Sequence, residues 1–562
     1  MIPNANPKLQ AQLERLARES QERLAKKSAS DKKAQYIDLM TAPIELDGLK
    51  LVPEERAREL KAVIFEHKGH KAALGALRPD EPAVGSLIKE FQDRGFELSV
   101  FLISQESLDY ALGFYKFVPQ DSSQITSKVN IEPEMVAKLQ KELVTVGKVR
   151  DRLAQLFSAT DNISTKEIME VALAGALTNR ASDLHFETSE GGFKLRYRID
   201  GMLQVVIEQI PPQVYKLIIS RLKLLSNLRI NITTESQDGR FTIGMGEVNI
   251  ELRVSVVPAP FGESIVMRVL DPRSIQLELT DLGIRDDDLA IMQAEIRAPN
   301  GMILNTGPTG SGKTTTLYAF LRTITDAATK TITIEDPVEY HLEGIEQTQV
   351  NVEAGYTFAN GLSAMMRQDP DVILVGEVRD TETAGIALQA ALTGHLVFST
   401  LHTNSASGAI PRLLDLGASP SSIGPALNLI IAQRLVRRLC KDCKVSLEIT
   451  PELKTKIDAF LKELPERVKR PESAAITLFG PKEGGCETCN THSYKGRVGI
   501  YELLKAGKEM ETLINKRAGE GEIEDFARGR GMVMLQQDGI LRVLKGDTSF
   551  EEVESVTGEL QW

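Results

Sequence analysis

The 562-residue chain predicts a multidomain α/β protein built around a phosphate-loop nucleotide-binding core with a parallel sheet, and three features lead there. A complete G-x-x-x-x-G-K-T loop, Gly307–Thr314, stands between the apolar strand Met302–Leu304 and a helix-forming run. Short apolar runs alternate with helical patterns from residue 276 onward, in MILNTG, TITIED, DVILVGE and HLVFSTLH, as a parallel sheet with βαβ crossovers requires. The length itself, at about 150 residues per domain, calls for three to four domains.

Composition bounds the rest. Forty-two per cent apolar and 26% charged residues are ordinary globular values. No apolar run approaches the roughly 18 residues needed to cross a bilayer, and the N-terminal MIPNANPKLQAQLERLARES lacks the apolar region of a signal peptide. The chain is therefore expected in the cytoplasm. A formal charge of −11 argues against a broad, sequence-independent nucleic-acid footprint, which would need a concentrated excess of Lys and Arg.

Taken in order, residues 1–34 read as a charged helical arm. Residues 35–158 form a small α/β domain that ends in a polar connector and a helix. Residues 159–275 open with a helix and continue as β-rich, mainly antiparallel patterns such as KLRYRIDGML and FTIGMGEVNIELRVSVVP. The nucleotide core occupies 276–435, a cysteine-bearing element 436–505, and a polar helical segment 506–562.

The phosphate loop carries the clearest chemistry. Gly307, Gly310 and Gly312 let backbone N–H groups converge on phosphates, with Pro308, Thr309 and Ser311 completing the turn; Lys313 reaches the β- and γ-phosphates of ATP, and the Thr314 hydroxyl ligates Mg²⁺. Two acidic strand ends follow, Glu335 in TIEDPVEY and Glu377 in VILVGE. Ligands sit at the carboxyl edge of parallel sheets, so either carboxylate could face Mg²⁺ or position and deprotonate water. A third strand, GHLVFSTLHTN, places two of the chain's seven histidines, His395 and His402, at its two ends. Alternation puts residues 400 and 402 on one side, near the ligand-facing end.

All four cysteines fall in two Cys-x-x-Cys pairs, Cys440/Cys443 and Cys486/Cys489, with 42 residues between Cys443 and Cys486. In a cytoplasmic chain two such knuckles suit a tetrahedral, structural Zn²⁺ with no open ligand position.

Four motifs in order, the phosphate loop at 307–314, TIEDPVEY at 333–340, RQDPDVILVGEVRDTETA at 367–384 and TGHLVFSTLHTN at 393–404, resemble the secretion ATPase superfamily. Within it, the chain is most similar to the type II secretion and type IV pilus assembly ATPases, the GspE/PilB group, over roughly residues 160–505. The resemblance implies a RecA-like core preceded by a PAS-like α+β domain. It also implies His402 beside the γ-phosphate and Glu377 as the catalytic glutamate, with Glu335 supporting Mg²⁺ or water. Arg240 in QDGR and Arg253 in LRVS match positions that contact the nucleotide in that family, where an arginine suits the forked pairing of phosphate oxygens. Ser363 stands where relatives commonly carry a further arginine, four residues before Arg367. The tetracysteine element and the following Tyr494–Glu502 stretch match the assembly and secretion members.

The same resemblance implies a motor: a homo-hexameric ring peripheral to the inner membrane, docked under a platform protein of the PilC/GspF type. Its N-terminal domain would dock onto another component of the assembly machinery, and no cyclic-di-GMP ligand is expected. The rival reading is a RecA-like nucleic-acid translocating or transfer ATPase, for which Gln433–Arg438 (QRLVRR) is the best basic cluster. That cluster lacks aromatic stacking residues, and no nucleic-acid partner is expected.

Overall fold

A computed structural model describes residues 7–32, 34–115, 128–130, 133–158, 164–245, 248–472 and 476–561. The chain divides into two compact units, Met1–Val269 and Leu270–Trp562.

The first unit holds two sheets. The smaller has the order β1 (Gln35–Tyr36), β4 (Glu97–Leu102), β3 (Lys71–Ala76), β2 (Ala62–Lys68), parallel except for the β2/β3 hairpin. The crossover helix Pro82–Asp93 begins with proline, whose fixed φ suits a first helical turn, and buries Val84, Leu87 and Phe91 on one face. The arm expected at 1–34 contains the helix Pro7–Asp31 and is tied to this domain: Glu22 accepts hydrogen bonds from Ser104 Oγ (2.5 Å) and Ser107 Oγ (3.2 Å).

The larger sheet has the order β5 (Lys128–Asn130), β9 (Gln237–Met245), β10 (Val248–Ala259), β11 (Gly262–Leu270), β6 (Asp183–Ser189), β7 (Gly192–Ile199), β8 (Met202–Ile210). It is mainly antiparallel, as the alternating patterns require. Here the structure differs from the domain boundary read at 158/159. Leu139, Val146, Val149 and Leu153, from the helices Pro133–Glu142 and Val146–Ser158, and Leu143 between them are buried in the core of this second sheet. An amphipathic helix announces an apolar stripe but not the surface that will cover it.

The second unit is built on one sheet, in the order β14 (Glu346–Gln349), β13 (Thr331–Glu335), β15 (Val372–Val375), β16 (Leu396–Leu401), β12 (Gly301–Thr306), β17 (Leu427–Leu439), β20 (Tyr494–Lys505). All neighbours are parallel except β17 and β20. Strands β12, β13, β15 and β16 are buried along their whole length, which is why they read as short, unbroken apolar runs. Their carboxyl ends lead into the phosphate loop, Glu335, Glu377 and His402 respectively.

The expected boundary at 435/436 falls inside β17, which pairs with β20 from Leu429↔Lys505 to Leu439↔Tyr494. The tetracysteine segment is thus an excursion, residues 440–493, from a hairpin of the core sheet; it carries a two-stranded ribbon, β18 (Val445–Leu447) with β19 (Leu478–Gly480). Residues 506–562 are likewise integral, since Met510, Ile514, Ile523, Ala527 and Leu535 belong to the main core.

A buried charge cluster fastens three distant segments of this unit. Arg285 Nη1 lies 2.9 Å from Asp538 Oδ1 and its Nε 3.1 Å from Asp287 Oδ1, while Arg467 Nη1 donates to Asp288 Oδ1 at 2.7 Å. Burial pushes the Asp288 carboxyl up to about 6 despite the two guanidiniums. Removing one partner of such a cluster leaves a charge buried and uncompensated, so Arg285→Met is expected to cost about 3–5 kcal/mol of stability. Urea unfolding followed by circular dichroism checks this; a midpoint equal to that of the parent protein would contradict it.

Candidate functional site

The loop 307–314 leaves β12 and opens the helix Lys313–Ile324. Its glycines meet two separate demands. Gly310 and Gly312 have φ of 81° and 90°, in the left-handed region that side chains avoid. A Cβ on Gly307 would lie 2.6 Å from the Gln433 carbonyl oxygen, so the backbone there must pass bare. Lys313 Nζ donates to Gly307 O (2.8 Å) and Pro308 O (3.2 Å). Burial lowers its pKa, and the negative charge of Glu377 opposes that shift. Thr309 and Thr314 are exposed, whereas the buried Ser311 Oγ has no hydrogen-bond partner among the described residues. An orphaned hydroxyl in a glycine-rich loop at a helix N-terminus suits a phosphate oxygen.

The two glutamates, alike in sequence, are placed differently. Glu335 is only 4% exposed. One of its oxygens accepts from Tyr318 OH (2.5 Å), the other from Thr333 Oγ1 (2.6 Å) and Gln347 Nε2 (3.2 Å). Because Tyr318 lies on the helix after the phosphate loop, Glu335 fastens that helix to β13. Burial, and then Glu335 itself, raises the Tyr318 pKa, so the phenol stays a donor. Glu377 instead lies at the site's mouth, ion-paired with the exposed Arg379 and 3.4 Å from His402 Nε2.

The strand ends explain that meeting. Thr400 Oγ1 donates to Gly376 O at 2.8 Å and Val378 N donates to Thr400 O at 3.1 Å, fixing the turn that carries Glu377 against β16. On the other side, Thr403 N donates to Thr306 Oγ1 at 2.8 Å, tying the residue after His402 to the last residue of β12. His402 is half exposed, with 52% of its side chain accessible. His395, at the far end of β16, has Nδ1 3.0 Å from the Ala390 carbonyl oxygen and takes no part in the site.

Sequence reasoning overlooked Arg379 and took Gln433–Arg438 for the best nucleic-acid candidate. In the structure Gln433 Oε1 accepts from Asn305 Nδ2 (2.9 Å) and Thr316 Oγ1 (2.8 Å) beneath the phosphate loop. Arg434 donates to the Asn404 carbonyl at 2.9 Å, and Arg437 Nε bonds Glu552 at 3.0 Å. These charges are spent internally. The visible signal was a glutamine and an arginine inside the apolar strand LNLIIAQRLVRRL.

In the first unit Arg240 and Arg253 stand directly opposite each other on β9 and β10 and project from one face. Like charges so placed repel, and a shared anion would relieve the repulsion. The four cysteines also come together: all Sγ atoms lie within 4.8 Å of one another. Three of the separations, Cys440–Cys486, Cys443–Cys489 and Cys486–Cys489, are 3.8, 3.8 and 3.7 Å. A tetrahedron of thiolates about 2.3 Å from Zn²⁺ has edges of about 3.8 Å, so the donor set fits that ion.

Known proteins resemble this chain over most of its length. The family model described as Type II/IV secretion system protein matches residues 158–555. The Type II secretion system protein E of Aeromonas hydrophila is 43% identical over 94% of this chain and 99% of its own. The protein of the same name from Dickeya dadantii (strain 3937) is 38% identical over 92% and 99%. The Type IV pilus assembly ATPase PilB of Myxococcus xanthus (strain DK1622) is 36% identical over 92% and 88%. Among solved structures, the ATPase DotB of Yersinia pseudotuberculosis superposes with a TM-score of 0.53 at 19% identity, covering 71% of this chain and 96% of that one. DotB of Legionella pneumophila gives 0.51 at 20%, covering 71% and 98%. At such identities the two DotB structures bear on the fold, a RecA-like core.

Elemental analysis of the purified protein is expected to find one zinc per chain. Cys443→Ser should lower that content severalfold and open the 440–493 excursion to protease, since a structural site of this kind contributes folding energy directly.

Proposed function

Because the chain belongs to the Type II/IV secretion system protein family, and with it to the ATP hydrolases, we propose that it is the motor that drives assembly of a type IV pilus or type II secretion pseudopilus filament. The observation that carries the catalytic part is the convergence of Lys313, Glu377 and His402, from three different strand ends, at one carboxyl edge of the sheet.

In this reading the backbone N–H groups of 307–314 and Ser311 Oγ receive the phosphates, and Lys313 exchanges its loop carbonyls for phosphate oxygens. Thr314 would hold Mg²⁺, which when bound offsets charge on the β- and γ-phosphates. Glu377 positions the attacking water and takes its proton. His402 donates from Nε2 to the terminal phosphoryl group, a role open to a neutral or protonated imidazole. Arg379 holds the Glu377 carboxylate in orientation. Glu335, closed within its hydrogen bonds, serves as a positioning residue for the phosphate-loop helix. Arg240 and Arg253 would stabilise negative charge on the phosphates, as paired guanidiniums can. Zn²⁺ at the cysteines has a structural role only.

Whole-length similarity to secretion and pilus ATPases supports a homo-hexameric ring peripheral to the inner membrane, acting on a platform protein of the PilC/GspF type. Among the described residues no helix is long and apolar enough to cross a membrane. The nucleic-acid motor loses part of its argument, because two of the three arginines in its basic cluster, Arg434 and Arg437, are bonded within the fold.

Glu377→Gln is expected to retain ATP binding, measured with a fluorescent nucleotide, and to lose about 10²–10⁴-fold in turnover. Undiminished turnover would overturn the assignment. ATPase activity should rise on adding the cytoplasmic domain of the platform protein and stay unchanged with DNA; the opposite pattern would favour the rival motor.

A further inference from the structure

Glu502 is a buried acid that the catalytic reading leaves unused. It lies on β20, is 1% exposed, and burial pushes its carboxyl up to about 7 against the attraction of two hydrogen-bonding N–H groups and Arg434. Each oxygen serves a different segment. Oε1 accepts from Ala406 N at 2.8 Å, and Oε2 accepts from Leu535 N, at the start of the helix Leu535–Leu544, at 3.2 Å. A carboxylate kept in so apolar a place costs stability unless its bonds specify something.

What it specifies is the loop that follows His402. Strand register aligns Leu401, Thr306, Ala432 and Glu502 in one row across β16, β12, β17 and β20. Row neighbours project to one face, and the small Ala432 leaves space between Thr306 and Glu502. The loop 403–406 crosses that space. It is held at one end by Thr306, through Thr403 N and Thr403 Oγ1 (2.7 Å), and in the middle by Arg434 on Asn404 O. At the other end Glu502 holds Ala406 N. Without that acceptor the buried Ala406 N–H is left unpaired and the far end of the loop loses its anchor, a displacement that passes to His402 along Asn404 and Thr403 while Thr306 still holds the near end.

We propose that Glu502 is a positioning residue for the hydrolytic step: its carboxylate anchors the Thr403–Ala406 loop and so keeps His402 against Glu377. The inference rests on His402 acting in hydrolysis, as read above. It predicts an effect on turnover and not on nucleotide binding, since Glu502 bonds neither the phosphate loop nor any residue read as touching nucleotide.

Three variants separate the possibilities: Glu502→Met, which keeps the volume and removes both acceptors, His402→Ala, and the double variant. Glu502→Met is expected to lower kcat about tenfold with KM for ATP within about twofold. The double variant should turn over no more slowly than His402→Ala alone, because the two changes disable one device. Wild-type kcat in folded Glu502→Met, or an equal further loss in the His402→Ala background, would overturn the proposal. Wild-type turnover in His402→Ala would instead overturn the reading of His402 on which it rests. Thermal melting reports folding; if Glu502→Met does not fold, Glu502→Gln replaces it, since its single carbonyl cannot serve both donors, with the same criteria.

Discussion

The pairing of β12 with β16, from Gly301↔Leu396 to Thr306↔Leu401, is the constraint on which the site depends. It brings the strand that ends in the phosphate loop beside the strand that ends in His402. Because β15 pairs with β16 on its other side, Glu377 arrives at the same edge. In a parallel sheet all three strands finish together, so the ladders themselves bring the chemistry to one edge. The Thr306 hydroxyl then fixes the final offset, bonding both the N–H and the side chain of Thr403.

Around that edge the polar groups divide into two sets. Those at the mouth, Lys313, Glu377, Arg379 and His402, are partly exposed and pair with one another or with loop carbonyls. Those beneath it, Glu335, Gln433, Arg434 and Glu502, are buried and bonded to two or more partners. The lower set costs desolvation and yields rigidity, which is what a site that must hold reacting atoms in fixed geometry requires.

This division explains which parts of the protein were legible in the sequence. The phosphate loop was, because its glycines answer a local backbone requirement that no other residue meets. So were the buried strands and the alternation that put His402 at the ligand end and left His395 aside. From strand patterns alone Glu335 and Glu377 could not be told apart, and only the family resemblance ranked them, since the difference lies in Tyr318 and Gln347, which reach Glu335 from another helix and another strand. Arg434 and Glu502 were hidden for the same reason: a charged residue in a strand pattern says that it is satisfied somewhere, not by what. The domain boundaries read at 158/159 and 435/436 fall beside an amphipathic helix and inside a strand whose apolar residues join a neighbouring core, which strand and helix patterns do not announce.

The tetracysteine excursion acquires a meaning from β20. A hairpin closed by a two-residue turn inherits its register from the turn, whereas β17 and β20 are joined through residues 440–493, far too long a connection to set it. A slip by one residue would carry every side chain of β20 to the opposite face, taking Glu502 away from Ala406 and Leu535. The four sulfur atoms gather at the connected end of this hairpin, immediately beyond the last pair, Leu439↔Tyr494. An ion held there by both knuckles would fix the two strand ends against each other, and with them the register that places Glu502. The cysteines, remote from the phosphate loop, thus bear on the site through the geometry of one strand.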